Sequence, residues 1–108
     1  MMNISIKSLH FRADQKLVTY IEKKINRLNR YFDPNNVEAE VQLKLQDSGG
    51  RIQDKITEVK LRVPGGWVMD KKTSKTFESA ITASVDTLKR QLVRHKEKQS
   101  GYGRVIEE

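Results

Sequence analysis

The chain has 108 residues, 36% hydrophobic and 32% charged, with 21 Lys and Arg against 14 Asp and Glu and no cysteine. One domain around one modest core fits that length, while the missing cysteines exclude disulfides, thiol chemistry and thiolate-bound zinc. The net charge of +7 points to a polyanionic partner, nucleic acid first. There is no apolar run long enough for a membrane span and no apolar signal core at the amino terminus, so a cytoplasmic protein is expected.

Residues 3–8 alternate polar and apolar side chains and predict a strand. Asp14 is a candidate N-cap for a helix running to about Tyr31. Asp33-Pro34-Asn35-Asn36 ends it, because proline cannot continue a helix and asparagine tolerates turn geometry. The clearest pattern follows over residues 37–46. Val37, Ala39, Val41, Leu43 and Leu45 alternate with Glu38, Glu40, Gln42, Lys44 and Gln46, so one strand face is buried and the other wet. Asp47-Ser48-Gly49-Gly50 predicts a turn. A strand from Lys55 to Val63 has Val59, Leu61 and Val63 in phase and Ile56 out of phase, which a bulge near Ile56 would repair. Pro64-Gly65-Gly66 is a further turn, and Trp67–Lys71 a short fourth strand that carries Trp67 as a partly buried edge aromatic. A helix from about Ser74, its expected N-cap, to Lys98 has Glu78 in the first turn, where the helix dipole favours an acid.

This order predicts an α+β fold, β-α-β-β-β-α, with a four-stranded, mostly antiparallel sheet and two helices packed on one face. Residues 1–98 form the expected domain. Residues 99–108, with Gly101 and Gly103, are expected to fray as a flexible tail.

The positive charge is not evenly spread. Residues 35–64 hold five basic and five acidic side chains. The first helix holds Lys16, Lys23, Lys24, Arg27 and Arg30 against Asp14 and Glu22, and the second Lys75, Lys89, Arg90, Arg94, Lys96 and Lys98 against Glu78, Asp86 and Glu97, a net +3 each. At about 100° per residue, Lys16, Lys23, Arg27 and Arg30 fall within about 60° of one another, opposite Val18, Ile21, Ile25, Leu28 and Phe32. On the second helix, Phe77, Ile81, Val85, Leu88 and Leu92 form the apolar stripe, while Lys89, Arg90, Arg94 and Lys96 point away from it. With both stripes on one sheet face, both basic faces point outward on the same side. Ordinary solvated helix faces intersperse the two signs; stacked like charges favour phosphate binding instead. Aromatics are few on these faces, which favours structured RNA read by shape over stacking on single strands.

Other chemistries lack their residues. His10 and His95 are too few and too isolated for a zinc site, and His95 near a helix end is a packing or capping residue. No nucleophile elbow, P-loop or dinucleotide fingerprint occurs, and the paired glycines belong to turns. Glu38 and Glu40 are the nearest approach to a metal-dependent nuclease site, but strand alternation accounts for both. The expected protein is no enzyme and takes no cofactor, metal or small-molecule substrate.

The order of elements, Tyr31-Phe32-Asp33 closing the first helix, and the run from Leu88 through Arg90-Gln91-Leu92-Val93-Arg94-His95-Lys96 to Lys98, with Asp86 upstream, resemble the short ribosome hibernation promoting factors. These are also called ribosome-associated inhibitors or sigma-factor modulation proteins. The resemblance covers roughly residues 2–98. It implies binding in the channel of the small ribosomal subunit where messenger and transfer RNA sit, with ribosomal RNA contacts from Lys16, Lys23, Lys24, Arg27, Arg30, Lys89, Arg90, Arg94, Lys96 and Lys98. It implies translational silencing by occupancy, in the stress response and stationary phase of bacteria. One stretch departs from the family: Thr76-Phe77-Glu78-Ser79-Ala80-Ile81-Thr82 keeps the aromatic and the isoleucine but has Thr82 in place of an aspartate. The few residues after Lys98 are not the pairing domain of the long members, so a monomer off the ribosome is expected. The alternatives are a structured-RNA-binding domain with a non-ribosomal target, a metal-dependent RNase and a sigma-factor modulator.

Overall fold

The computed structural model describes residues 2–46 and 54–99, with side chains through Glu97. The turn expected at Asp47–Gly50, and all of the expected tail except Gln99, lie outside those residues. The elements in chain order are β1 (Asn3–Leu9), α1 (Gln15–Asn26), a 3₁₀ turn (Arg27–Tyr31), a second 3₁₀ turn (Pro34–Asn36), β2 (Glu38–Gln46), β3 (Asp54–Val63), β4 (Gly66–Ser74) and α2 (Phe77–Gln99). They form one four-stranded sheet in the order β1-β2-β3-β4. β1 runs parallel to β2, and the other neighbours are antiparallel. A parallel pair needs a crossover, which α1 provides. Both helices cover the same sheet face, as the one-sided strands require.

The core lies between that face and the helices. Ala39, Val41 and Leu43 of β2 and Val59 and Leu61 of β3 meet Ile21, Ile25 and Leu28 on one side and Ile81, Leu88 and Leu92 on the other, all buried. Each fully buried aliphatic contributes about 1.5–3 kcal/mol relative to exposure. Val18, Phe32 and Val85 of the expected stripes are only part-buried, because they sit at the margins of the two helices. Phe11 stacks on Phe77 with ring centroids 5.2 Å apart, tying the β1–α1 connection to the start of α2.

Several expectations change in detail. The ladder between β2 and β3 is one-to-one from Glu38↔Arg62 to Gln46↔Asp54, so no bulge occurs at Ile56. Strand alternation instead turns Ile56 to the opposite sheet face and puts Thr57 inside the core, where its Oγ1 has no hydrogen-bond partner. β4 continues past Lys71 to Ser74 because Lys55 of β3 pairs with Ser74. Ser74 therefore belongs to the strand, and Thr76 caps α2, its Oγ1 accepting from the Ser79 amide at 3.0 Å. Asp14 does cap α1, accepting from the Leu17 amide at 2.8 Å. The first helix does not stay α-helical to Tyr31 but tightens into the 3₁₀ turn from Arg27. Proline ahead and the extended Phe32 (φ −163°, ψ 169°) leave no room for another α turn.

Pro64 and Gly65 make the β3–β4 turn, with Gly65 at φ 87°, a conformation glycine adopts without a Cβ penalty. On the covered face of β4, Asp70 accepts from Lys72 Nζ at 2.9 Å and from the buried Ser84 hydroxyl at 2.8 Å. The carboxylate under α2 is thus paired and hydrogen-bonded, as burial of a charge demands.

Candidate nucleic-acid interface

The two helices lie side by side, and a groove of about 290 Å³ runs between them. Lys24, Arg27 and Arg30 line it from the first helix, and Lys89, Asp86 and Thr82 from the second, with Tyr31, Leu28 and Val85 at its floor and walls. The 3₁₀ turn helps to build it. Side chains three apart eclipse in that geometry, so Arg27 and Arg30 share one side while Leu28 and Tyr31 share the other. Leu28 is buried and anchors the turn; both arginines are exposed.

Lys24 is half-buried, with its ammonium 5.3 Å from the centroid of the Tyr20 ring one turn earlier. That cation–π contact holds the charge at the groove without cancelling it. The Tyr20 hydroxyl reaches Thr82 Oγ1 at 3.0 Å and joins the helices directly. Asp86 is the acid in the groove, but Arg90 Nη2 pairs with its Oδ2 at 3.1 Å across one turn of α2. Both partners of that pair are well exposed, so it contributes little to stability. It gives the acid of the groove lining a cation partner that is not one of the four groove cations.

The sequence-predicted residues therefore divide by position. Lys24, Arg27, Arg30 and Lys89 converge on the groove. Lys16 and Lys23 are exposed farther along α1, and Arg90 sits outside the groove, on the pair with Asp86. Arg94 and Lys96 are exposed beyond it on α2: Arg94 lines a separate groove with Trp67, and Lys96 a small apolar pocket with Tyr31 and Leu92. Lys98 belongs to α2, with its side chain outside the described residues. Sequence reasoning missed Tyr20, Tyr31 and Thr82 as parts of the site. The four-residue spacing of Tyr20 and Lys24 was the available signal, since such pairs meet on a helix.

The remaining residues also find places. His95 Nε2 donates to the Pro64 carbonyl at 2.9 Å, so this histidine is indeed a packing and tethering residue. Trp67 does lie on the edge strand, but it is exposed rather than partly buried, at 57% on the sheet face the helices leave open. Phase explains it, because Leu61 pairs with Val68 and Arg62 with Trp67, so only Val68 turns inward. Among the described residues no three His, Asp or Glu side chains are grouped to hold a metal ion, and Glu38 and Glu40 lie on the open face. No described helix is long and apolar enough to cross a membrane.

Residues 4–100 match the family model described as sigma 54 modulation protein / S30EA ribosomal protein. The chain belongs to this family. Two ribosome hibernation promoting factors are close relatives at the level of sequence. That of Pseudomonas putida is 34% identical over 98 residues, covering 91% of this chain and 90% of its own. That of Azotobacter vinelandii is 33% identical over 98 residues, covering 91% and 86%. Among solved structures, the Thermus thermophilus Protein Y N-terminal domain superposes with a TM-score of 0.76 at 29% identity, over 87% of this chain and 99% of that one. A ribosomal subunit interface protein from Coxiella burnetii shares the fold, with a TM-score of 0.71 at 17% identity, over 88% and 98%. The β-α-β-β-β-α order is thus the family's own, and this is a family of ribosome-associated factors rather than enzymes.

Proposed function

We propose that this family member is a ribosome hibernation factor that binds the small ribosomal subunit through its two basic helices and silences translation by occupying the channel of messenger and transfer RNA. The observation that carries the reading is the convergence of Lys24, Arg27, Arg30 and Lys89 on one groove between helices that are each net basic. Its relatives' name, ribosome hibernation promoting factor, supports the ribosome as the target. The chemistry is non-covalent. Phosphates of folded RNA neutralise the side chains and release counterions, which supplies affinity with little base readout. The inter-helix hydrogen bond and the shared core fix the spacing of the two elements that carry the cations, which suits a structured RNA whose phosphates are also fixed. Ribosomal RNA is then the contacted polymer, by Lys16, Lys23, Lys24, Arg27, Arg30, Lys89, Arg90, Arg94, Lys96 and Lys98, and the cytoplasm is where the protein works.

Sedimentation of purified protein with purified small subunits through a sucrose gradient tests the assignment. Co-sedimentation at low salt that is lost as salt rises is the expected result. Failure to sediment with the small subunit, or equal affinity for an unrelated folded RNA, overturns the ribosomal target.

A further inference from the structure

A second surface, outside the inter-helix groove, carries an exposed aromatic among basic side chains. Trp67 stands 57% exposed and Met69 41% exposed on the open face of β4, the edge strand. Single exposed apolar residues are ordinary on protein surfaces. Here, however, Trp67, Val68 and Met69 border a groove of about 340 Å³ along the free edge of β4, whose other wall is the distal part of α2, with Gln91, Arg94 and His95. On the sheet side the Lys60 ammonium lies 4.9 Å from the indole centroid.

The surroundings are built rather than loose. His95 is pinned to the Pro64 carbonyl. Gly66 faces that ring, and a Cβ there would make an ordinary contact with His95 Cε1 at 3.4 Å. The turn, the strand and the end of α2 thus form one rigid wall, and Trp67 is the first side chain beyond it. Val68, next in the chain, is buried under α2 and fixes the strand's rotation. The indole cannot fold inward without turning Val68 out.

We propose that this groove takes one unpaired RNA nucleobase, stacked on Trp67, with Arg94 on the adjoining phosphate. The proposal rests on the reading of the chain as an RNA binder and adds a site to it. Arg94 and Lys89 are five residues and so about 140° apart around α2; the two grooves border opposite flanks of that helix, with the exposed Arg90 on the outward face between them. A strand of RNA that crosses the outward face of α2 passes from the first groove over Arg90 to the second. A planar π system beside cations is what an unstacked base recognises, and the contact tolerates any base because each presents a π face. Gln91, half-buried at the groove wall, offers an amide to a base edge. Charge also separates this ligand from a protein partner: the polar lining is Gln91, Arg94 and His95, with no acid.

Trp67 is the sole tryptophan of the chain, so its emission reports this groove alone. The test titrates the full chain with a six-nucleotide oligoadenylate RNA and with an abasic hexamer of the same backbone, at one low salt concentration. Oligoadenylate should quench the emission saturably and bind more tightly than the abasic strand. By anisotropy of end-labelled RNA, Trp67→Leu should weaken oligoadenylate binding about five- to a hundredfold and leave the abasic strand unaffected. Trp67→Phe should retain part of the preference. Arg94→Gln should weaken both strands alike. Thermal melts of all variants confirm that the exposed site is changed without loss of fold. Equal binding of the two strands, unchanged emission at saturation, or an oligoadenylate affinity untouched by Trp67→Leu overturns the proposal. So does self-association in sedimentation equilibrium that Trp67→Leu abolishes, which would make the indole a contact between copies of the chain. No ribosome enters this assay, so failure of the ribosomal assignment and failure of the base site are seen separately.

Discussion

Tyr20 donates its hydroxyl hydrogen to Thr82 Oγ1 across the seam between the helices. The direction follows from the second bond of the threonine, whose own hydrogen goes to the Glu78 carbonyl at 2.8 Å, leaving its oxygen to accept from the tyrosine at 3.0 Å. Thr82 is therefore used here as an inter-helix tie. It also sets the groove, since Thr82 lines one wall and Tyr20 holds Lys24 near the other.

Tyr20→Phe and Thr82→Val should each lower stability by about 0.5–1.5 kcal/mol, the net value of one such bond. The double variant should cost less than the two single costs together, because either change alone breaks the same bond. Urea melts of the four proteins measure the coupling. Strict additivity would mean that the bond contributes nothing in solution.

Thr57→Val should stabilise the fold. The Thr57 side chain is fully buried and its Oγ1 has no hydrogen-bond partner among the described residues. Valine keeps the β-branched shape and removes a hydroxyl that was desolvated without compensation, worth about 1–3 kcal/mol. At about 4–8 °C per kcal/mol for a domain of this size, the melting temperature should rise measurably. A fall would show that the hydroxyl has a buried water as partner.

Much of the fold was legible because its periods are clean. β2 alternates without exception, and the apolar stripe expected for the first helix predicts Ile21, Ile25 and Leu28 as core, which they are. The misreadings in β3, in β4 and at the start of α2 share one cause: each depended on a neighbour not adjacent in sequence. Trp67-Val68-Met69 is apolar throughout, so only pairing with β3 decides that Val68 faces inward. Ser74 and Thr76 are both good N-caps, and the length of the β3–β4 ladder chooses between them. At the site, the basic faces were readable as faces. Which cations meet was not, because the switch to 3₁₀ geometry at Arg27 rotates Arg30 and Tyr31 away from their α-helical positions.

Reversing Lys23, Arg27 and Arg30 to glutamate should abolish binding to small subunits while leaving the melt nearly unchanged. All three side chains are exposed, and such substitutions shift stability by about ±0.5 kcal/mol each. The same titration in wild type should give a linear fall of log affinity with log salt. If the four groove cations each meet one phosphate, the slope contributed by the groove is about −3 to −4. A triple variant that still pellets with small subunits would move the interface off the first helix.

Competition should decide the mechanism of silencing. Two ligands that share one site exclude each other, and the exclusion is reciprocal in free energy. If the basic helices occupy the decoding channel, small subunits loaded with messenger and initiator transfer RNA should bind this protein more weakly, and excess protein should displace the transfer RNA. Initiation should then slow more than elongation already under way, because elongating ribosomes have their channel filled. Labelled protein titrated against small subunits at fixed salt, with and without messenger and initiator transfer RNA, measures the effect. The Lys23, Arg27, Arg30 reversal is the control, and should show no binding in either arm. Affinity unchanged at full occupancy of the channel would place the protein elsewhere on ribosomal RNA and remove competition as the mechanism, leaving the RNA-binding assignment to stand on its salt dependence alone.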